Sequence, residues 1–225
     1  MQEVSVIIPN FNGMAYLDGV LAGLECQSVN NFEVILVDNG SSDGSCAFVA
    51  ARYPWVHLIE LPENFGFCKA VNEGIKASRA PYVLLLNNDI EVTENFIEEM
   101  IFAIKRHPKA FSCAARMIQF HDRDKLDDAG NYYCALGWAY ARGKGKDIHI
   151  YEKEEKIFAS CAGAAIYRKK IFDKIGYFDE EHFAYLEDMD VGYRARIHGY
   201  ENWYAPDAMV YHVGSGTSGS RYNQF

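Results

Sequence analysis

The sequence predicts an α/β protein in which helices cover both faces of a mostly parallel sheet. Three observations predict it. Uninterrupted runs of Val, Ile and Leu alternate with stretches of helical period through the first 120 residues, the pattern of strands buried on both faces and joined by helices. Clusters of Gly, Asn, Asp and Ser separate them, as turn chemistry requires. The 225 residues are 49% apolar and 24% charged, enough for one large domain with an ordinary core.

Each element follows from local pattern. Val4 to Pro9 is a short apolar strand. Met14 to Gln27 sets Leu17, Val20, Leu21 and Leu24 at i, i+3, i+4 and i+7, one helix face. Phe32 to Asp38, FEVILVD, is a strand, and GSSDGS then offers Ser42 as N-cap of a helix reaching Tyr53. A strand over 56–61 and a helix over 68–77 follow; Pro81 closes that helix before the strand 82–86. The helix 95–107 turns Phe96, Ile97, Met100, Ile101 and Ile104 inward, Pro108 ends it, and 111–119 is a strand.

Periodicity is lost over 121–156, where HDRDKLDDAG and RGKGKD read as an excursion or insert. It returns in 157–167, in a helix near 169–175, and in a helix over 188–198 with Met189, Tyr193 and Ile197 on one face and Gly199 at C′. Short strands at 202–205 and 208–212 flank Pro206, and GSGTSGSRYNQF is a Gly/Ser-rich tail expected to be mobile.

Bulk chemistry excludes several classes. A formal net charge of −9 argues against a nucleic-acid backbone as partner. The six cysteines form no C-x-x-C pair, which argues against a zinc ribbon or redox motif and for reduced, buried thiols in a cytoplasmic compartment. The N-terminus lacks the basic region and apolar length of a signal peptide. No apolar run of about 20 residues is present, so any membrane contact is expected to be peripheral.

Ligands of such sheets bind beyond the carboxyl ends of the strands, and there the unusual polar residues fall. Pro9, Asn10 and Asn12 close the first strand, Asp38 and Asn39 the second, Asn64 and Gly66 follow the third, and Asn87, Asn88 and Asp89 the fourth. Asp89 either caps the next turn or holds Mg²⁺ or Mn²⁺ on a diphosphate, with Asn88 near a ribose. Asp38 and Asn39 either form a turn or read a pyrimidine, a carboxylate accepting from its N3–H. Glu187, Asp188 and Asp190 either complement a helix dipole or supply a general base. His212 is either structural or a metal ligand. Lys69 is read as solvent-facing.

In order and spacing, SVIIPNFNG, VILVDNGSSDGS, ENFGFCKAVNEGI, LLLNND, CAGAAIYRKKIFDKIGYFDE, LEDMDVGYRARIHGY and PDAMVYHVGSG resemble the inverting family-2 glycosyltransferases. The match covers nearly everything outside 121–156. The resemblance implies the GT-A nucleotide-diphospho-sugar transferase fold over 1–225, with a nucleotide-binding half (1–120) and an acceptor and catalytic half (121–225). It implies transfer from dTDP-rhamnose or a UDP-sugar to a glycan or lipid-linked acceptor, with a divalent cation. Asn87-Asn88-Asp89 stands where the family has D-x-D, leaving Asp89 as the one anionic ligand, with His212 as a second. Asp188 is implied as catalytic base beside Glu187, and Cys161, Ala162 and Gly163 as part of the acceptor-side wall, near the sugar. Many relatives continue with helices past the point where RYNQF ends this sequence. A nucleotidyltransferase, or a nucleotide-sugar-binding protein without turnover, are the alternatives; the first normally carries a basic Gly-rich N-terminal signature that VSVIIPNFNG lacks.

Overall fold

The structure, a computed structural model, describes residues 2–214; the tail after Gly214, read above as mobile, lies outside the described residues. The chain opens with β1 (Val4–Asn10), α1 (Met14–Glu25), β2 (Phe32–Asp38), α2 (Ser45–Arg52), β3 (His57–Glu60), α3 (Phe67–Ala77) and β4 (Tyr82–Leu86). Then come β5 (Ile90–Val92), α4 (Phe96–Arg106), β6 (Ala110–Gln119), β7 (Leu126–Asp128), β8 (Asn131–Tyr133), β9 (Ala139–Ala141) and β10 (Glu155–Ile157). The chain closes with β11 (Ala164–Arg168), α5 (Lys169–Ile175), α6 (Glu187–Ile197) and β12 (Glu201–His212).

The main sheet runs β10-β12-β6-β11-β4-β1-β2-β3, with β5 added on β12 and β7 on β6. β3, β2, β1 and β4 are parallel, as are β6 and β12, while β11 lies antiparallel between β4 and β6. Alternation along β1 divides the core. Val4, Val6 and Ile8 pack with α1, α2 and α4 on one face; Ile7 packs with α3, α5 and α6 on the other. Side chains of period two thus bury both faces. The chain turns from β1 toward β2 on one side and β4 on the other, so the crevice between β1 and β4 is a topological switch point.

The structure corrects several expectations. Ser42 caps no helix: α2 begins at Ser45 after Gly44 at φ 91°. Asp43 accepts from the Ser45 N–H at 3.0 Å, and the Ser42 N–H is spent on Asn12 Oδ1 at 2.9 Å. On α6, Tyr193 and Ile197 are exposed, and Met189, Val191, Gly192 and Ala195 are buried. A Cβ on Gly192 would sit 2.5 Å from that of Ala159, so small residues let the helix approach closely, and a face read from large residues picks the wet side. The two strands around Pro206 are one, β12, with a register shift between Ala205 and Met209. Pro has no N–H for a ladder and sits at such irregularities.

The stretch 121–156 is no insert. β7 and β10 pair with β6 and β12, and Leu126, Ala129 and Ile157 form a third core cluster with Ala114 and Tyr204. Strands of three residues carry no readable period. All six cysteines are free, but only Cys68 and Cys113 are buried; Cys26 is exposed, and Cys46, Cys134 and Cys161 are partly so. Lys69, read as solvent-facing, pairs with Glu73 and Glu180. Among the described residues no helix is long and apolar enough to cross a membrane.

Candidate functional site

Three strand ends are tied by side chains at the switch point. Asn88 Nδ2 donates to Asn10 Oδ1 at 2.8 Å, and Asn10 Nδ2 donates to Asp38 Oδ1 at 2.8 Å. The other Asp38 oxygen accepts from the Ser41 N–H at 2.8 Å. All three side chains are buried, so each polar group needs these partners. The Cys46 side chain also hydrogen-bonds the Asp38 carboxylate, which offers about four acceptor sites in all. Pro9 and Val37 stand side by side one step earlier in the parallel register.

The flanking loops are bound to one another. Asn12, at φ 49°, donates its N–H to Ser41 Oγ, and the Met14 N–H donates to Asp43 Oδ2 at 2.9 Å. A Cβ on Gly13 would fall 2.0 Å from Asn88 Nδ2 and 2.4 Å from Asn10 Oδ1. The Asn10–Asn88 bond therefore presses directly on this glycine. Asn39 is spent on the next loop: its Nδ2 donates to Asn64 Oδ1 and to the Gly66 carbonyl, and its Oδ1 accepts from the Phe65 N–H. Gly66, at φ 88°, faces the Phe183 carbonyl, which a Cβ would meet at 2.5 Å, and that carbonyl accepts from the Phe67 N–H at 2.8 Å. The segment before α6 thus seats on the loop before α3.

Asp188 and Glu187 open α6, directly after Tyr185 and Leu186 at φ 74° and 67°. Two adjacent non-glycine residues in the left-handed region are costly, on the order of 1–3 kcal/mol each, and cluster at functional sites. Asp188 Oδ2 accepts from Asn131 Nδ2 at 2.9 Å and Oδ1 from the Met189 N–H at 2.7 Å. The Ala162 N–H adds a further bond. Burial pushes the Asp188 carboxyl above its ordinary range against these bonds. Burial, then the Asp188 charge, push Glu187 up as well, and Glu187 Oε2 has no hydrogen-bond partner among the described residues. A carboxyl raised toward neutrality in a cleft is suited to take a proton near pH 7.

Residues 161–163 join this carboxylate to the end of β4. Ala162 bonds Asp188, and the Gly163 carbonyl accepts from the Asn87 N–H at 2.8 Å. Cys161 lies within the field of Asp128 and Asp188, and burial raises its thiol far beyond the range of a thiolate. Cys161 and Ala162 thus lie near the Asp188 carboxylate, and Gly163 reaches Asn87 at the end of β4.

His212 stands between two carboxylates. Its Nδ1 bonds Asp127 Oδ2 at 2.7 Å, and its Nε2 lies 3.4 Å from Asp89 Oδ1. Burial alone would lower its pKa; the bonds and charges of Asp127 and Asp89 overcome this and raise it to about 9. The pair fits a divalent cation in its donor chemistry. A carboxylate oxygen and an imidazole nitrogen face each other, and a second carboxylate fixes the far ring nitrogen, the usual support of a metal-bound histidine. Among the described residues no group of three or more His, Cys, Asp and Glu forms a metal cage. The protein's share would therefore be Asp89 and His212, with phosphate oxygens and water filling the rest.

Gly13, Ser41, Asp43, Asp127 and Asn131 were not among the sequence candidates. The last two lie in LDDAGN, where a pair of acids and an amide in a polar stretch were the available signal.

Comparison with known proteins shows the family and the fold. The family model described as "Glycosyl transferase family 2" matches residues 5–176. The N-acetylglucosaminyl-diphospho-decaprenol L-rhamnosyltransferase of Mycobacterium tuberculosis is 27% identical over 230 residues, covering 92% of this chain and 75% of the relative. Among solved structures, S. aureus TarS 1-349 in complex with UDP matches with a TM-score of 0.70 at 19% identity, over 93% of this chain and 60% of that one. GalNAc-T7 with UDP, GalNAc and Mn²⁺ matches with a TM-score of 0.78 at 14% identity, over 94% and 44%. At such identities the two structures establish the shared GT-A fold.

Proposed function

Because the chain belongs to glycosyl transferase family 2, we propose that it moves a sugar with inversion from dTDP-rhamnose or a UDP-sugar to a hydroxyl of a lipid-linked or glycan acceptor. The observation that carries the reading is the Asp188 carboxylate. It is raised by burial, held by Asn131, and linked through the backbone of Ala162 and Gly163 to Asn87 just beyond β4.

In this reading Asp188 accepts the proton of the acceptor hydroxyl as that oxygen attacks the anomeric carbon. The nucleoside diphosphate leaves from the opposite face, so one displacement inverts the centre. Base catalysis of this kind contributes about 10²–10⁴-fold. Glu187 stands beside this base, its own carboxyl pushed up by burial and then by the Asp188 charge. Asp38, with acceptor capacity left beyond Asn10, Ser41 and Cys46, accepts from the N3–H of the pyrimidine, and Pro9 lines the ring. Asn10, Asn39 and Asn64 hold the pocket walls, and Asn12, Asn87 and Asn88 lie toward the ribose and phosphates, which Gly66 lets approach the backbone. Asp89 and His212 would hold Mn²⁺ or Mg²⁺, which when bound would supply positive charge for the departing diphosphate. Asp127 positions the His212 ring. Cys161, Ala162 and Gly163 form the sugar-side wall.

The relatives support the substrate classes by their own chemistry: one acts on a diphospho-decaprenol acceptor and one binds UDP. The test is a donor survey by thermal shift with UDP, dTDP and their sugars, with Mn²⁺, followed by product analysis on the best donor. Stabilisation by a nucleotide sugar together with an inverted glycoside product is expected. Stabilisation without any transfer or donor hydrolysis would reduce the chain to a nucleotide-sugar-binding protein.

A further inference from the structure

We propose that the cleft behind the β8–β9 hairpin binds the diphosphate of a lipid-linked acceptor. This deepens the reading above and rests on it for the acceptor's part in the reaction. The cleft, about 380 Å³, is lined by Tyr132, Tyr140, Arg142, Lys144, Lys146 and Tyr151, with Glu155 as its one acid. Three cations stand against Glu155 in the lining and Asp127, which Lys144 reaches at 3.5 Å from the rim, so in a chain of net charge −9 the cleft is still net positive. Such a pocket selects anions.

Arg142 is the second observation. It is 4% exposed. Its Nε donates to the Ala129 carbonyl at 2.8 Å and its Nη1 pairs with Glu155. Its Nη2 has no hydrogen-bond partner among the described residues. The rings of Tyr151 and Tyr204, 4.5 and 4.8 Å from the guanidinium carbon, hold the plane in place. A buried guanidinium N–H without an acceptor is costly, and the field of an anion in the cleft offsets that cost. Lys144 and Lys146 are exposed at the rim and make the first contact, while Arg142 supplies charge from beneath.

The cleft's place gives the rest of the ligand. Lys144 Nζ lies 3.5 Å from Asp127 Oδ1, whose partner oxygen holds His212. Tyr132 follows Asn131 on β8, and successive strand residues face opposite ways, so the cleft and Asp188 are one strand's thickness apart. A diphosphate in the cleft leaves an attached sugar to reach around β8 toward Asp188. At the hairpin turn Leu136 and Trp138 are 86% and 72% exposed, an apolar tip of the kind that rests at a lipid–water interface. Diphosphate, sugar and apolar chain each meet a matching surface.

The test uses the full chain, saturated with UDP and Mn²⁺, titrated with farnesyl diphosphate, farnesol and inorganic pyrophosphate. Replacing Arg142 would also break a buried ion pair, so the variants are Lys146→Glu and Lys144→Glu. Farnesyl diphosphate is expected to bind the wild type and to lose at least about tenfold in affinity in either variant. UDP affinity in Lys146→Glu should change by less than about twofold. Farnesyl diphosphate binding that is absent, or indifferent to both variants, overturns the proposal. Farnesol binding equally well overturns the diphosphate contact, and pyrophosphate binding equally well overturns the lipid source. Failure of UDP itself to bind wild type counts against the proposed function and leaves the charge-reversal comparison standing.

Discussion

Asn131 donates its side-chain amide to Asp188 at 2.9 Å, across 57 residues of sequence, and so couples the second strand pair to the start of α6. The bond favours the ionised carboxylate and holds Oδ2 in place, as the Met189 N–H holds Oδ1. Asn131→Ala should lower kcat by about 10- to 100-fold, a loss of roughly 1–3 kcal/mol for a hydrogen bond to a charged group. Donor KM should stay near wild type, and the acid limb of the pH–rate profile should move up because the carboxylate has lost a stabilising donor. A KM rise without a kcat loss would make Asn131 a substrate-binding residue instead.

Asp188→Asn should reduce transfer by about 10²–10⁴-fold while UDP binding, read by calorimetry, is retained. Loss of nucleotide binding in this variant would make Asp188 structural. In the wild type the activity should fall with acid through a limb above the ordinary carboxylate range, since burial raises both Asp188 and Glu187.

Asp128 carries a stability signature of its own. Burial raises its carboxyl from 3.8 to about 7, against the bond from the Gly130 N–H. A carboxyl raised on folding stabilises the protein below the unfolded value, near pH 4, and that contribution is lost as pH rises through the folded value, near pH 7. Asp128→Asn keeps an acceptor for Gly130 and removes the titration. The variant should match wild type near pH 4 and exceed it above pH 7, by on the order of a few kcal/mol. Chemical denaturation at both pH values reads the difference; equal stabilities at pH 8 would show that the carboxyl is not raised.

His212 must give up its Nε2 proton before that nitrogen can bind a metal. With its pKa raised to about 9, apparent Mn²⁺ affinity in the presence of UDP should climb with pH from about 6 to 9. Asp89→Ala should abolish the Mn²⁺ dependence of UDP binding. Asp127→Ala should cost about 10–100-fold in metal affinity by freeing the ring. UDP affinity unchanged by EDTA at every pH would remove the cation from the donor site.

Much of this was readable from sequence because β1, β2 and β4 are uninterrupted apolar strands, and such strands end abruptly where polar ligand groups begin. Asn10, Asp38 and Asn88 announce themselves by breaking a run that burial otherwise explains. Asp127 and Asn131 do not. They sit on three-residue strands in a charged stretch, where an acid beside acids has no contrast and the period is too short to detect. The packed face of α6 departs from the hydrophobic pattern for a related reason: Gly192 and Ala195 make the contact by being small, while the pattern rewards the large Tyr193 and Ile197. The Asn131–Asp188 and Asp127–His212 bonds are tertiary facts that no local pattern encodes.

Gly13 supplies the last prediction. It precedes α1 at φ −102°, where any residue fits the backbone, so its smallness matters only for what lies opposite. An added methyl would reach within 2.0 Å of Asn88 Nδ2 and 2.4 Å of Asn10 Oδ1, distances that no packing tolerates. Gly13→Ala should therefore push the two asparagines apart and break the link between β1 and β4 at the nucleotide end, leaving the sheet core intact. Overpacking of this kind costs about 1–3 kcal/mol, so the variant should fold with a lowered Tm. Its UDP affinity should fall by about tenfold or more, while the pH dependence set by Asp188 stays in place. A variant that loses stability but binds UDP as wild type does would show that the Asn10–Asn88 bond holds the strands together without shaping the pocket.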